Sequence, residues 1–295
     1  MARIAIIGAG AIGGSVAALV QASSQHELVL CVRRPIRQLV VEQATGEMQI
    51  NATLLTRPED AKPVDWVMVA TKTYDAASTA LWLDPLCAGS APVAVLQNGV
   101  EHRERFAPYI AKEHIVPVIV DCPAERKPSQ DGIDRIVQRG PMSLRVPDSG
   151  FGRDFVRLFA GTAADAVAVD DWTTVAWRKL CHNAVGVIPA LLLQPAGVLR
   201  SEALGAVALD MVREAAAVGR AEGANLPESV PTDVLAAYRR SAPDSINSLH
   251  ADRLAGRPME IAARNGAIVR KGQTHGIPTP ANAMAVALLE EMTAK

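Results

Sequence analysis

Up to about residue 169, short apolar runs recur between stretches of helical period; beyond it the apolar spacing is helical almost throughout. The runs at 3–7 (RIAII), 28–32 (LVLCV), 66–70 (WVMVA) and 93–96 (VAVL) are nearly continuous, which predicts strands covered on both faces. Further strands are predicted at 115–120, 133–138, 142–146 and 166–169, with Arg139-Gly140-Pro141 joining the middle two as an antiparallel hairpin. Helices are predicted over 149–159, 170–183, the alanine-rich stretch 203–224, and 281–293. The pattern divides the chain into an α/β domain at 1–169 and an all-α domain at 170–295, without a Gly/Ser linker.

The first run leads directly into Gly8, Gly10 and Gly13 at G-x-G-x-x-G spacing, with Ala11 and Ile12 opening a helix. In a strand–turn–helix context these glycines permit the tight turn, the approach of a pyrophosphate to the backbone, and close helix-to-strand packing. The helix N-terminus then faces the phosphate with unpaired N–H groups. A Rossmann-type dinucleotide site is therefore expected. The uncharged stretch 4–20 would also suit the apolar core of an export signal, but it continues straight into a second strand pattern. That strand ends at Arg33-Arg34 rather than at an acidic residue, which favours NADP(H) over NAD(H) because a guanidinium grips a 2′-phosphate. Lys72 and Asn98 follow the third and fourth strands, where open α/β sheets bind ligands; a surface lysine and an Asn-Gly turn are the plainer alternatives.

In the helical half, Trp172, Ala176, Lys179 and Asn183 recur at helical spacing, so Lys179 and Asn183 project side by side. This stripe is either a functional face or merely the solvent face of a helix whose core side carries Val175, Leu180 and Val187. Further on, Gly256 is expected to end one helix and Pro258 to open another, which would put Glu260 in a first helical turn. A formal charge of -1 over 295 residues gives no footprint for nucleic acid or an anionic membrane. The four cysteines lack C-x-x-C spacing and the six histidines lack ligand spacing, so no metal is expected. With no apolar span of membrane length, a reduced cytoplasmic enzyme is expected.

Taken together, GAGAIGG at 8–14, Lys72, the QNG at 97–99, WRKLxxN at 177–183, and Ser248 with Asp252, Gly256, Arg257, Glu260 and Ile261 resemble the ketopantoate reductase (2-dehydropantoate 2-reductase) family along essentially the whole chain. That resemblance implies a Rossmann domain, a C-terminal domain of the 6-phosphogluconate dehydrogenase type, and NADPH-dependent reduction of a 2-oxo acid in pantothenate biosynthesis. It implies Lys179 as the catalytic lysine and Glu260 as the carboxylate near the substrate hydroxyl. Asn98, Asn183 and Ser248 would orient substrate; Gly8, Gly10, Ala11, Ile12, Gly13, Arg33, Lys72 and Asn98 would bind cofactor. Two positions depart from the family pattern: Val187 stands where a second asparagine is usual, and Ala262 where an acidic residue is usual. A different 2-oxo acid therefore stays open as substrate, as does a homodimer. The rivals are a 3-hydroxyacid dehydrogenase, whose glycines upstream of the lysine are absent here, and a non-catalytic NADP-binding sensor.

Overall fold

The apolar runs of the first half form strands buried on both faces, in a computed structural model that describes residues 1–293. The chain divides into two units: Met1–Gln97 with His102–Trp172, and Asn98–Glu101 with the residues from Thr173 onward.

In chain order the first unit contains β1 (Ala2–Ile7), α1 (Ala11–Ala22), β2 (His26–Cys31), β3 (Gln38–Gln43), β4 (Gly46–Gln49), β5 (Thr53–Leu55), β6 (Trp66–Val69), α2 (Ala76–Cys87) and β7 (Val93–Val95). It continues with α3 (His102–Phe106), β8 (Ile115–Pro117), β9 (Ile119–Asp121), β10 (Ala124–Arg126), β11 (Ile133–Gln138), β12 (Ser143–Pro147), α4 (Gly150–Arg157) and β13 (Asp165–Val169). Among the described residues the main sheet is six-stranded, in the order β5-β2-β1-β6-β7-β8, with every pairing parallel. This is the doubly wound order, whose direction reverses beside β1, where such sheets hold their ligands.

Strand periodicity explains how the sheet is covered. Ile4, Ile6, Leu30 and Met68 point to one face and share a core with Val16, Val20 and Phe155. Ala5, Ile7, Val29, Val67 and Val69 point to the other and pack with Trp82, Leu86 and Phe106. So α1 and α4 cover one face, and α2 and α3 the other.

The second half of this unit differs from the expected hairpin. β11 joins a four-stranded sheet (β10-β11-β3-β4), pairing parallel with β3, whereas β12 joins a three-stranded one (β13-β12-β9). Pro141, which has no N–H to give a ladder, lies where the chain passes from one sheet to the other. Likewise the single strand expected at 115–120 breaks into β8 and β9, which belong to different sheets. β11 also carries the wholly buried Asp134, held by Arg34 at 2.9 Å and Arg126 at 2.6 Å. Burial would raise this carboxyl, but the Ser129 hydroxyl and the two guanidinium groups outweigh it and leave its pKa lowered.

The second unit contains α5 (Trp172–Val185, which begins at the last residue of the first unit), α6 (Val187–Leu192), α7 (Glu202–Ala221), α8 (Val230–Arg240), α9 (Ser248–Leu254), α10 (Asn265–His275) and α11 (Pro280–Thr293). Trp177, Leu180, Val185 and Val187 form its core with Met211, Val212, Ala215 and Leu289. A buried polar knot ties three helices together. Glu214 on α7 accepts the N–H groups of Ala281 and Asn282, capping α11 at 2.8 and 3.0 Å. The Asn282 amide donates to the Met211 carbonyl, and Asn265 on α10 donates to Asn282. No described helix is long and apolar enough to cross a membrane.

This knot predicts that Asn282→Leu destabilises the fold, because it leaves the Asn265 amide and the Met211 carbonyl without Asn282 as a partner. The expected loss is about 2 kcal/mol, with about 1–3 kcal/mol typical of a buried polar group left unpaired. Urea unfolding checks this, and a loss below about 0.5 kcal/mol, within the range of an ordinary surface change, contradicts it.

Candidate functional site

The three glycines of the first turn meet three different constraints. Gly8 has φ +100°, and a Cβ there would lie 3.0 Å from the Thr71 methyl. Gly13 packs so closely that a Cβ would lie 1.9 Å from the Gly8 carbonyl oxygen, whereas a Cβ on Gly10 would meet nothing within 4 Å. Gly10 precedes α1 without a side-chain cap, and the first turn holds no acidic residue. Ala11 and Ile12 are half-buried at the start of that helix. The backbone N–H groups and the positive end of the helix are thus left for an anion, and the open side of Gly10 gives it room.

The two arginines after β2 have separated roles. Arg34 is committed to Asp134, whereas Arg33 is 84% exposed, with only a 3.5 Å approach of its Nη1 to Asp75. A guanidinium so exposed can take a phosphate bidentately. Lys72, half-buried, follows β6 in a loop held from behind. The buried Gln97 amide donates to the Thr71 hydroxyl at 3.1 Å and the Lys72 carbonyl at 3.2 Å, and its oxygen accepts from Arg105.

Asn98, expected to touch both cofactor and substrate, falls in the second unit, as do Lys179, Asn183, Ser248 and Glu260. Its amide donates to Glu260 Oε2 at 3.0 Å. Gly99 makes this approach possible: it has φ +96°, and a Cβ there would lie 2.5 Å from the Ala263 carbonyl oxygen. Arg270 adds a 2.6 Å ion pair to Glu101.

Lys179 and Asn183 sit one turn apart on α5, both half-buried, while Ala176 and Leu180 are core residues. Trp172, placed on the same stripe by sequence, instead packs in the first unit, where its indole N–H donates to the Arg145 carbonyl. His182 stacks on Tyr238 with ring centroids 4.5 Å apart. Val187 is wholly buried in the helical core at the start of α6, and Ala262 is exposed.

Ser248 opens α9, and this short helix is anchored at both ends. Asn247 caps it by accepting from His250 N, and donates its amide to the Gly186 carbonyl between α5 and α6. Arg253 donates to the Ala190 and Leu191 carbonyls at the end of α6. Gly256, at φ +63°, follows the helix, and Arg257 folds back on Asp252 at 3.0 Å.

The chain then stays irregular through Pro258–Glu260 and turns at Ile261–Arg264 before α10, so Glu260 is not in a first helical turn as expected. Proline fits an extended segment as well as a helix start. Here, side-chain bonds favour the irregular path: Glu260 is bonded to Asn98, and Arg264 Nη2 donates to the Ser248 hydroxyl at 2.7 Å. Sequence reasoning missed Arg264, which is only 4% exposed. Burial lowers its pKa from the ordinary value, while Glu260, Tyr238 and Asp252 favour the charged form.

Among the described residues no group of three or more His, Cys, Asp or Glu could hold a metal. None of the four cysteines is in a disulfide, and burial pushes the Cys31 and Cys181 thiols up to about 12.

Profiles described as "Ketopantoate reductase PanE/ApbA" and "Ketopantoate reductase PanE/ApbA C terminal" match residues 4–146 and 171–293. The chain is 49% identical to a 2-dehydropantoate 2-reductase of Caulobacter vibrioides, over 98% of both chains. It is 36% identical to one of Mycobacterium tuberculosis, over 97% of this chain and 96% of the relative. Among solved structures, the 2-dehydropantoate 2-reductase of Geobacter metallireducens matches with a TM-score of 0.90 at 26% identity, covering 99% of this chain and 100% of that one.

The unequal surroundings of the glycines predict unequal variants. Gly13→Ala is expected to lose about 3 kcal/mol or more through overpacking against backbone. Gly10→Ala should lose no more than about 1 kcal/mol, the scale of a helix-cap change. Thermal melting of the two ligand-free proteins checks this, and equal melting temperatures contradict it.

Proposed function

The chain belongs to the ketopantoate reductase family, and from that premise we propose that it reduces 2-dehydropantoate to pantoate with NADPH. The observation that carries this reading is the gathering of Asn98, Lys179, Asn183, Ser248 and Glu260 in one unit, with the Glu260 carboxylate already oriented by Asn98. The cofactor is a nicotinamide dinucleotide, and its phosphorylated form is favoured by the exposed Arg33 fork and by the commitment of Arg34 to Asp134. Gly8, Gly10 and Gly13, with Ala11 and Ile12, would receive the pyrophosphate, and Lys72 would add a positive charge after β6. Four cysteines without a disulfide suit a reducing compartment, here the cytoplasm.

When bound, the dihydronicotinamide supplies a hydride to the ketone carbon. The Lys179 ammonium polarises the carbonyl and gives its proton to the oxygen as the π electron pair moves there. Asn183, one turn along the same helix, orients the substrate beside that ammonium. Glu260, fixed by Asn98, accepts a hydrogen bond from the hydroxyl that forms, and Ser248 binds the polar end of the acid. Lys179 regains a proton from solvent to complete the cycle.

The departures from the family pattern do not argue for a different reaction. Val187 is closed off in the apolar core, and Ala262 offers its carbonyl to Arg270 at 2.8 Å.

Lys179→Ala is expected to lower kcat for NADPH-dependent 2-dehydropantoate reduction by roughly 100- to 10,000-fold, as loss of a general acid does. Steady-state rates, read beside an unchanged melting temperature, check it. A variant that keeps more than about a tenth of wild-type turnover contradicts the general-acid role.

A further inference from the structure

A 2-oxo acid presents two oxygens groups of different demand: a ketone that takes a hydride and a proton, and a carboxylate that carries a full negative charge throughout. Among the residues assigned to substrate, Lys179 is the one cation, and its proton is committed to the ketone oxygen. Asn98, Asn183 and Ser248 are neutral, and Glu260 would repel a carboxylate. The assigned set therefore lacks a positive charge for the end of the substrate that most needs one.

Arg264 supplies that charge. It is 4% exposed, its Nε is buried without a hydrogen-bond partner, and its Nη2 donates to the hydroxyl of Ser248, itself an exposed residue. A hydroxyl has one proton and two acceptor sites. With a guanidinium N–H on one acceptor site, the Ser248 proton is turned away from Arg264, available to an acceptor in front of it. The positive charge behind strengthens that donation.

We propose that Arg264, acting through the Ser248 hydroxyl, is the positioning residue by which this enzyme selects an anionic carboxylate over an uncharged ketone. The inference rests on the reading that the chain reduces a 2-oxo acid.

The test compares kcat/KM for 2-dehydropantoate and for its uncharged methyl ester in the wild type and in Arg264→Met, Arg264→Lys and Ser248→Ala. Arg264→Met should lower the value for the acid by roughly 10- to 100-fold, chiefly through KM, the range for losing a hydrogen bond to a charged group. The ester should change by less than about threefold, well below that range. Arg264→Lys should recover much of the acid's KM. Should Arg264→Met fold poorly, Ser248→Ala, at an exposed position, should lose the same preference for acid over ester. Equal losses on acid and ester overturn the inference while the reductase reading stands, as does a Ser248→Ala enzyme that keeps the wild-type preference. A wild type that reduces neither compound overturns the reductase reading, and this inference with it.

Discussion

Two opposite charges held out of water in one short segment constrain the helical unit. Glu260 and Arg264 are each 4% exposed, and removing an ion from water costs several kcal/mol unless neighbours compensate. A continuous helix through both residues would stack them on one face, four positions apart. The irregular path instead lets Glu260 meet Asn98 and Arg264 meet Ser248. Three local features support that path: the positive φ of Gly256, the return of Arg257 to Asp252, and the contact of Gly99 with the Ala263 carbonyl. The anchoring of α9 to α6 places Ser248 within the same arrangement.

The first unit meets a different constraint, the close packing of the turn between β1 and α1. A parallel sheet covered on both faces brings β1 to its turn as a rigid, buried strand, and the glycines divide the remaining work among conformation, packing and open space. Arg33 and Arg34, adjacent in sequence, divide similarly: one neutralises a buried aspartate and holds β11, while the other stands exposed after β2.

The parts of this arrangement that obey a local period were legible in the sequence. Five of the six strands of the main sheet, the glycine turn and the helical second half follow from runs and spacings that depend little on distant partners, whereas the short edge strand β5 carries too few residues to show a period. The smaller sheets were not legible, because β3 and β4 mix polar and apolar residues, and because pairing of β11 with β3 is a choice between segments about 90 residues apart. A Gly-Pro turn between two strand patterns reads as a hairpin, and only the tertiary pairing shows that the chain changes sheets there. Arg264 was hidden for a related reason. A glutamate and an arginine four apart read as an exposed helical pair, and the one available signal was a lone charge within the small and apolar stretch Ile261-Ala-Ala-Arg264. Asn98 was placed correctly after its strand, but its partner Glu260 lies 162 residues away.

The initial rate of NADPH oxidation at neutral pH with 2-dehydropantoate, set beside straight-chain and bulkier 2-oxo acids and repeated with NADH, tests the assigned activity most directly. The predicted result is a kcat/KM for 2-dehydropantoate with NADPH about a hundredfold or more above every other pairing, which is about 2.7 kcal/mol of transition-state discrimination. Tight NADPH binding without turnover of any 2-oxo acid would contradict it and would point to a protein that senses the cofactor rather than uses it.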